Sequence, residues 1–392
     1  MTSAPYRRLV FVGAGHAHVE VLRRFAQRPL PGTELVLVTR AAHTPYSGAV
    51  PLVIAGHLSL EDALIDAAGL AARASARLIL ASATGLDPDA RQLSLDDGTR
   101  LAFDTLSLDI GSAPDMAALG ADAAAVIPAK PIDGLLARIE ALAADIRDRD
   151  DPVTIAVVGS GAAGVELAFS LDHRFAGLEP RGPPVRVVLA GRSRRLVPGC
   201  NARTRRCLER RLAQRGIPHL SGFDAVSYRD DELYAADRRS VRANAVIWVT
   251  ESAAPPWLAA SGLACDARGF VLVDEALRSR SHPSIFAAGD VAALPQPRPK
   301  AGVFAVRAGP VLAENLRRAL TGETLRAYRP QTRWLSLIST GDRHAVADRG
   351  PLSFEGEWVW RWKRWIDARF LRRYAPNDGS GSCGLRNDHI DF

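Results

Sequence analysis

Cysteine, lysine and long apolar runs are all scarce in this chain. Four cysteines occur in 392 residues (Cys200, Cys207, Cys265 and Cys383) and no two are spaced C-x-x-C. That excludes a disulfide framework; no metal site is expected, and the compartment reads as reducing cytosol. No 18-residue window is apolar and free of charge, so no membrane-spanning helix is expected. Met1–Arg8 is followed by only Leu9–Val12 as an apolar stretch, too short for the core of a secretory signal, so none is expected. Lysine is confined to Lys130, Lys300 and Lys363, so the net charge of +7 is carried by arginine. Together with the abundance of alanine this reads as compositional bias, and no nucleic-acid partner is expected. With 47% apolar and 24% charged residues, the chain is of the globular class, long enough for two domains and a smaller third.

What the chain does contain is a strand–turn–helix pattern, met twice. Leu9–Val12 reads as a buried parallel strand running into Gly13-Ala14-Gly15-His16-Ala17-His18, followed by a helical spacing of Val19, Leu22 and Phe25. Gly13 permits a tight turn, Gly15 lets the backbone approach a pyrophosphate, and free N–H groups at the helix start favour the anion. His18 stands where the third glycine of G-x-G-x-x-G belongs. Glu34–Thr39 reads as the second strand. At its end, where an acid usually binds ribose, stand Thr39 and Arg40; an arginine can meet a phosphate or stack on adenine but cannot accept a hydrogen bond.

The pattern returns complete at Val153–Val158 and Gly159-Ser160-Gly161-Ala162-Ala163-Gly164, with Val185–Leu189 as its second strand. Again no acid follows. Arg192, Arg194 and Arg195 are there instead, suited to a 2′-phosphate or simply to a solvated surface. Asp62–Ala76 and Ile132–Arg147 read as helices, and Arg77–Leu108 as short strands around Asp87-Pro88 and Asp97-Gly98. Ala243–Val249 and Gly269–Val273 read as further strands. Ser284–Ala288 is a buried strand ending in Gly289-Asp290, Pro295–Pro299 a proline-rich loop, and Gly302–Leu320 a helix interrupted at Gly309-Pro310. Trp334–Ile338 and Ala345–Ala347 read as strands before a tryptophan-rich helix, and Asn377–Phe392 as a disordered tail. On a helical wheel Trp358, Val359, Trp362, Trp365, Ile366 and Phe370 share one face, and Arg361, Lys363, Arg364 and Arg372 occupy much of the rest. Such a helix suits the headgroup region of an anionic membrane, or packing on the protein's own core or on a homodimer partner.

Two nucleotide-binding turns followed by Ala287-Ala288-Gly289-Asp290 resemble the flavoproteins with two dinucleotide-binding domains, the pyridine nucleotide-disulfide oxidoreductase superfamily. The cysteine-free loop His43–Pro51 and Lys300-Ala301-Gly302-Val303-Phe304-Ala305-Val306-Arg307 look like its type II NADH dehydrogenase and sulfide:quinone reductase branch. Gly15–Leu22, His43–Gly48 and Trp360–Asp367 are similar to the flavin oxidoreductase domain found fused to selenide, water dikinase, over residues 7 to 374, in what would be a stand-alone form. The resemblance implies an α/β fold. Two Rossmann-like domains of three-layer ββα type bind FAD (residues 1–112 and 266–329) and NAD(P)H (113–265), ahead of a small α+β region (330–376).

The same resemblance implies residue roles. Gly13, Gly15, His16 and Ala17 lie at the FAD pyrophosphate and Arg40 near its adenosine. Pro45 belongs to the loop beside the flavin, and Asp109, Gly111 and Ser112 replace the usual Ala-Thr-Gly turn. Gly289 and Asp290 hold the ribityl chain, and Lys300, Gly302 and Val303 cover the pyrimidine edge, with Lys300 catalytic through charge. Gly159, Gly161, Ala162, Gly164 and Arg192 bind NAD(P)H, with Glu166, the second catalytic candidate, near the nicotinamide. The implied activity passes hydride from NAD(P)H to FAD N5 and two electrons on to an acceptor such as a quinone, in the cytoplasm or on the inner face of the cell membrane. A flavoprotein acting on selenium or sulfur compounds, and a low-turnover redox sensor, are the alternatives. The cysteines, none of them in the flavin loop, weigh against sulfide oxidation.

Overall fold

The computed structural model describes residues 7–176, 183–250 and 252–375. In chain order its main elements begin with β1 (Arg7–Val12), α1 (His16–Gln27), β2 (Thr33–Thr39), β3 (Ala76–Leu80) and β4 (Thr105–Leu108). A second group follows: β5 (Ile127–Pro128), α2 (Ile132–Arg147), β6 (Val153–Val158), α3 (Ala162–Ala176), β7 (Val185–Gly191), α4 (Ala202–Gln214), β8 (His219–Ser221) and β9 (Ala245–Trp248). The chain then gives β10 (Ile285–Ala287) and α5 (Gly302–Thr321), and ends with β11 (Ser336–Ser339), β12 (Ala345–Arg349), β13 (Leu352–Gly356) and α6 (Glu357–Tyr374).

Two five-stranded parallel sheets result, in the orders β3-β2-β1-β4-β10 and β5-β9-β6-β7-β8. Their central strands are apolar on both faces because both faces are covered. In β1, Leu9 and Phe11 pack with α1 and α5, while Val10 and Val12 pack under the antiparallel strands 83–87, 92–95 and 100–102. The second sheet repeats this with α2 and α3 on one side and the meander 225–229, 232–235 and 240–242 on the other. Helix on sheet on meander is the three-layer α/β architecture expected. The β10 strand, far along the chain, lies beside β4 at the edge of the first sheet, so Gly289-Asp290 end next to Asp109-Ile110-Gly111.

Three expectations need correction. Residues 62–76 are not one helix: a 3₁₀ turn (Glu61–Ala63) and a short strand (Leu64–Asp66) come first, because residues 64–66 pair with His43–Pro45. The helix there, Ala67–Arg73, starts where the Asp66 carboxylate caps the Gly69 amide at 2.7 Å. Helix α5 runs unbroken through Pro310. Pro310 costs the bond to the Val306 carbonyl, yet Gly309 lets α1 approach so closely that a Cβ would sit 2.8 Å from that of Glu20, and packing overrides the breaker. Strand β11 begins at Ser336 rather than Trp334. The tail Asn377–Phe392 lies outside the described residues, as does Cys383.

Candidate functional site

The first turn is built around a buried carboxylate. A Cβ on Gly13 (φ +87°) would lie 2.5 Å from the Asp109 carbonyl oxygen, and one on Gly15 2.4 Å from its carboxyl carbon, so only glycine allows β4 this close. Asp109 Oδ2 accepts the amides of Ala17 and His18 at 2.8 and 2.9 Å. His18 is fully buried; its Nδ1 lies 2.6 Å from the Gly13 carbonyl and its Nε2 2.8 Å from Ser107 Oγ. The two departures from the glycine pattern therefore fit one another. His18 fills the room left by the missing glycine, and Asp109 satisfies helix amides deeper than those a pyrophosphate would use.

Burial raises the Asp109 carboxyl to about 7, the His18 and Ala17 amides pulling it down and Asp290 raising it further. The folded protein then holds a proton between the ordinary value of 3.8 and about 7 that the unfolded chain has released, so stability falls as pH rises through that window. Asp109→Asn is expected to flatten this fall in a series of Tm measurements across the window; an unaltered slope would show the carboxyl to be hydrated.

Around this turn the structure gathers residues from distant stretches. The amides of His16, Gly302 and Val303 have no partner among the described residues, and a Cβ on Gly302 would lie 3.5 Å from His16 Nδ1. The N-termini of α1 and α5 thus converge, a favourable setting for an anion. Burial lowers the His16 imidazole to about 4, with Asp290 raising and Lys130 lowering it in turn, so the ring is neutral at pH 7. Asp290 Oδ2 accepts from Ser112 Oγ at 3.2 Å and from Lys130 Nζ at 2.5 Å. Gly289 and Gly111 occupy positive φ (+69° and +73°) at the ends of β10 and β4.

Lys130 was not among the expected site residues. It lies on the segment between β5 and α2, and nothing in sequence spacing connects it to Asp290. Lys300, expected at the pyrimidine edge, donates its ammonium to the Ala292 carbonyl at 2.7 Å and stands 3.8 Å from the Phe270 ring centroid; burial lowers it to about 8, with Asp290 and Asp266 raising it in turn. The cation in direct contact with the Asp290 carboxylate is Lys130. Arg40 is a half-exposed partner of Asp133 at 3.5 Å. Pro45 ends the short strand His43–Pro45.

The second turn is more open. Gly161, Ala162 and Ala163 are exposed, while a Cβ on Gly164 would sit 1.7 Å from the Gly159 carbonyl oxygen, so that residue serves the contact of α3 with the end of β6. Arg192 is exposed just past β7. Glu166, on α3, accepts from the Ser339 amide at 2.9 Å. Its carboxyl is raised by burial, with Lys363 pulling it down.

Helix α6 closes the site from the far side. Its buried face is polar at the centre: Lys363 and Asp367 are 5% and 6% exposed and form an ion pair at 3.1 Å. Lys363 also donates to the Gly48 carbonyl at 2.7 Å, and Tyr46 OH donates to Asp367 at 3.1 Å. Burial would lower the Lys363 ammonium, but Asp367 and Glu166 more than offset it and leave it raised, hence charged. Tyr46 stacks on Phe370 at 4.4 Å, and His16 stands edge-on to both.

The wheel of α6 needs correcting accordingly. Val359 is buried, Phe370 is partly buried against His16 and Tyr46, and Lys363 is not solvated. The exposed stripe is Trp358, Trp362 and Trp365 (54%, 37% and 44% exposed), continued by Leu352 and Phe354 of β13. Glu166, Lys363, Asp367 and Tyr46 form a buried polar junction between α3, α6 and the His43–Gly48 loop, and no motif announced it.

A dinucleotide site of the Rossmann kind is defined by this geometry, and residues 7–309 match the model of the pyridine nucleotide-disulphide oxidoreductase family. The chain belongs to that family. Among its relatives, an NADH dehydrogenase-like protein of Mycobacterium tuberculosis is 28% identical over 227 residues, 55% of each chain; the match thus spans about half the length of that relative. A type II NADH:quinone oxidoreductase of the same organism is 23% identical over 387 residues, 90% of this chain and 81% of that one. Of solved structures, the sulfide:quinone oxidoreductase of Aquifex aeolicus superposes with a TM-score of 0.78 at 18% identity, covering 94% of this chain and 91% of that one. At that identity the likeness is one of fold.

Proposed function

We propose that this chain is an FAD-dependent NAD(P)H oxidoreductase that hands electrons to a quinone at a membrane surface. The first site fits FAD by its donor set. Unpartnered amides of two helix N-termini suit a pyrophosphate, and a carboxylate held by Lys130 and Ser112 suits the ribityl hydroxyls. His16, Gly302 and Val303 would hold the pyrophosphate, with Gly13, Gly15 and Ala17 shaping the turn, and Asp290 would fix the flavin's height in the cleft. FAD, when bound, accepts hydride and releases electrons.

The residues around it divide the labour. Gly159, Gly161, Ala162 and Gly164 would present NAD(P)H from the other sheet, with Glu166 near the nicotinamide and Arg192 by its adenosine. Lys130 would place positive charge by the flavin, a role expected from the sequence of Lys300, whose ammonium is held against the Ala292 carbonyl and the Phe270 ring. Tyr46, Phe370 and the Lys363–Asp367 pair exclude water from the acceptor side.

One observation carries the choice of acceptor. Helix α6 buries Phe370, Lys363 and Asp367 against the loop that flanks the FAD turn, and on its opposite face exposes three tryptophans. A single rigid element therefore joins the flavin side of the site to an aromatic surface of the kind that settles among lipid headgroups, which suits an acceptor dissolved in lipid. Among the described residues no helix is long and apolar enough to cross a membrane, so attachment would be by this face. The thiols of Cys200 and Cys207 are both pushed up to about 12, chiefly by burial, which weighs against sulfur chemistry at them. Protein reduced anaerobically with NADH should re-oxidise when a quinone is added in anionic vesicles; persistence of the reduced flavin would reject a quinone acceptor.

A further inference from the structure

The exposed aromatic stripe does not stand alone. Beside it lies a groove of about 470 Å³ lined by Arg203, Arg206, Cys207 and Arg210 of α4 and by Ser353, Phe354 and Glu355 of β13. The arginines recur at the spacing that places them on one side of a helix. Thr204 Oγ1 donates to Ser353 Oγ at 2.9 Å, and the Asn201 side-chain amide donates to the carbonyls of Gly350 and Leu352 at 3.0 and 3.1 Å, so α4 is fastened to the β12–β13 hairpin and the groove has a fixed shape.

Glu355 is the one acid in the lining, and its charge is spoken for. It pairs with Arg210 at 2.5 Å and lies 3.4 Å from His344 Nε2, and Cys207 Sγ donates to it at 2.8 Å. Among the described residues no carboxylate pairs with Arg203 or Arg206, and both are exposed. The groove therefore carries two uncompensated guanidinium groups. Phe354 belongs to both features: it lines the groove, and its ring stands 6.0 Å edge-on from Trp358, which stacks at 6.4 Å on Trp362.

From this juxtaposition we infer that the groove is a binding site for the phosphate of an anionic phospholipid, whose acyl chains lie across Phe354, Trp358 and Trp362. Charge complementarity selects the phosphate, since planar guanidinium forks match its oxygens. Continuity with the aromatic stripe selects a lipid over a free ion, because one molecule can fill the cationic and the apolar half together. The site rests on the membrane-surface reading above and deepens it: the tryptophans supply insertion, and Arg203 and Arg206 supply the preference for anionic lipid and fix the rotation of the protein on the surface.

The test uses the full chain and five samples: wild type, Arg203→Gln/Arg206→Gln, Trp358→Ala/Trp362→Ala, and wild type and the arginine variant each with millimolar inorganic phosphate. Binding is measured to vesicles of phosphatidylcholine alone and of phosphatidylcholine with phosphatidylglycerol, with Tm and flavin content as controls on folding. Each arginine near an anionic surface is worth about fivefold in binding, so the arginine variant should bind the phosphatidylglycerol vesicles roughly 25-fold more weakly. Its weak binding to phosphatidylcholine, and its Tm, should match wild type. Equal binding of wild type and arginine variant to phosphatidylglycerol, with the tryptophan variant still impaired, would overturn the site and leave the membrane reading standing. Failure of wild type to bind either vesicle would overturn both. If inorganic phosphate raised the Tm of wild type but not of the arginine variant, while the two bound vesicles alike, the groove would be a site for a soluble phosphate and the lipid assignment would fall.

Discussion

Asp290→Ala is expected to yield a folded protein that has lost its hold on FAD. The substitution removes an acceptor that two donors, Ser112 Oγ and Lys130 Nζ, orient towards the cleft, and it leaves the Lys130 ammonium without its carboxylate. Hydrogen bonds to a charged group contribute about 1.5–3 kcal/mol each, so losing two to the ribityl chain corresponds to roughly 100-fold or more in affinity. The measurement is a fluorescence titration of apoprotein with FAD, with circular dichroism to show that the sheets persist. Asp290→Asn, which keeps an acceptor but loses the charge and the pairing with Lys130, should fall between wild type and alanine. Stoichiometric FAD in the alanine variant would mean that the carboxylate faces away from the cofactor.

The second large effect separates two glycines of one motif. A Cβ on Gly161 meets nothing within 4 Å, whereas one on Gly164 would sit 1.7 Å from the Gly159 carbonyl oxygen. Gly161→Ala should therefore leave Tm unchanged and retain FAD, yet weaken NADH by 10- to 100-fold, because the methyl group intrudes only when a pyrophosphate approaches the turn. Gly164→Ala must push α3 away from β6, and its cost should appear in Tm as well, a few kcal/mol for overpacking a buried contact. The discriminating observable is NADH concentration dependence of flavin bleaching set beside thermal unfolding. Wild-type NADH affinity in Gly161→Ala would show that the dinucleotide does not use this turn.

How much of this could be read beforehand depends on whether the signal was local. Ile132–Arg147 was legible to the residue, because its apolar period of 3.6 is written along the segment. The longer strands of both central sheets were legible because burial on both faces demands continuous apolar runs, whereas the short, half-buried edge strands Ile127–Pro128 and His219–Ser221 carry no such run and were not. The first glycine turn was legible in outline and misjudged in detail. His18 and Asp109 looked like erosion of a motif, since a pattern compares each position with an ideal and not with a neighbour ninety-one residues away. In space they are partners, and a turn that seemed degraded is a repacked one.

Helix α5 shows the opposite failure, a local breaker overruled by the fit of Gly309 against Glu20. Lys130 and Lys363 were invisible for a third reason. Each acts through a partner that chain topology alone delivers: Asp290 sits in the 3₁₀ turn that follows β10, a strand returning to the first sheet after a long excursion, and Gly48 and Glu166 belong to different elements. Scarcity of lysine was itself a clue. All three lysines of an arginine-rich chain have ammonium groups engaged by carboxylate or carbonyl oxygens, where a compact cation on a flexible stem fits and a guanidinium fork does not.

The most direct measurement is an anaerobic titration of the purified, FAD-loaded protein with NADH and NADPH in parallel, following the flavin absorbance. If the two turns hold their cofactors ring against ring, the yellow colour will bleach with one equivalent of at least one of the nicotinamides and return on addition of quinone. A flavin that stays oxidised in an excess of both would contradict the arrangement.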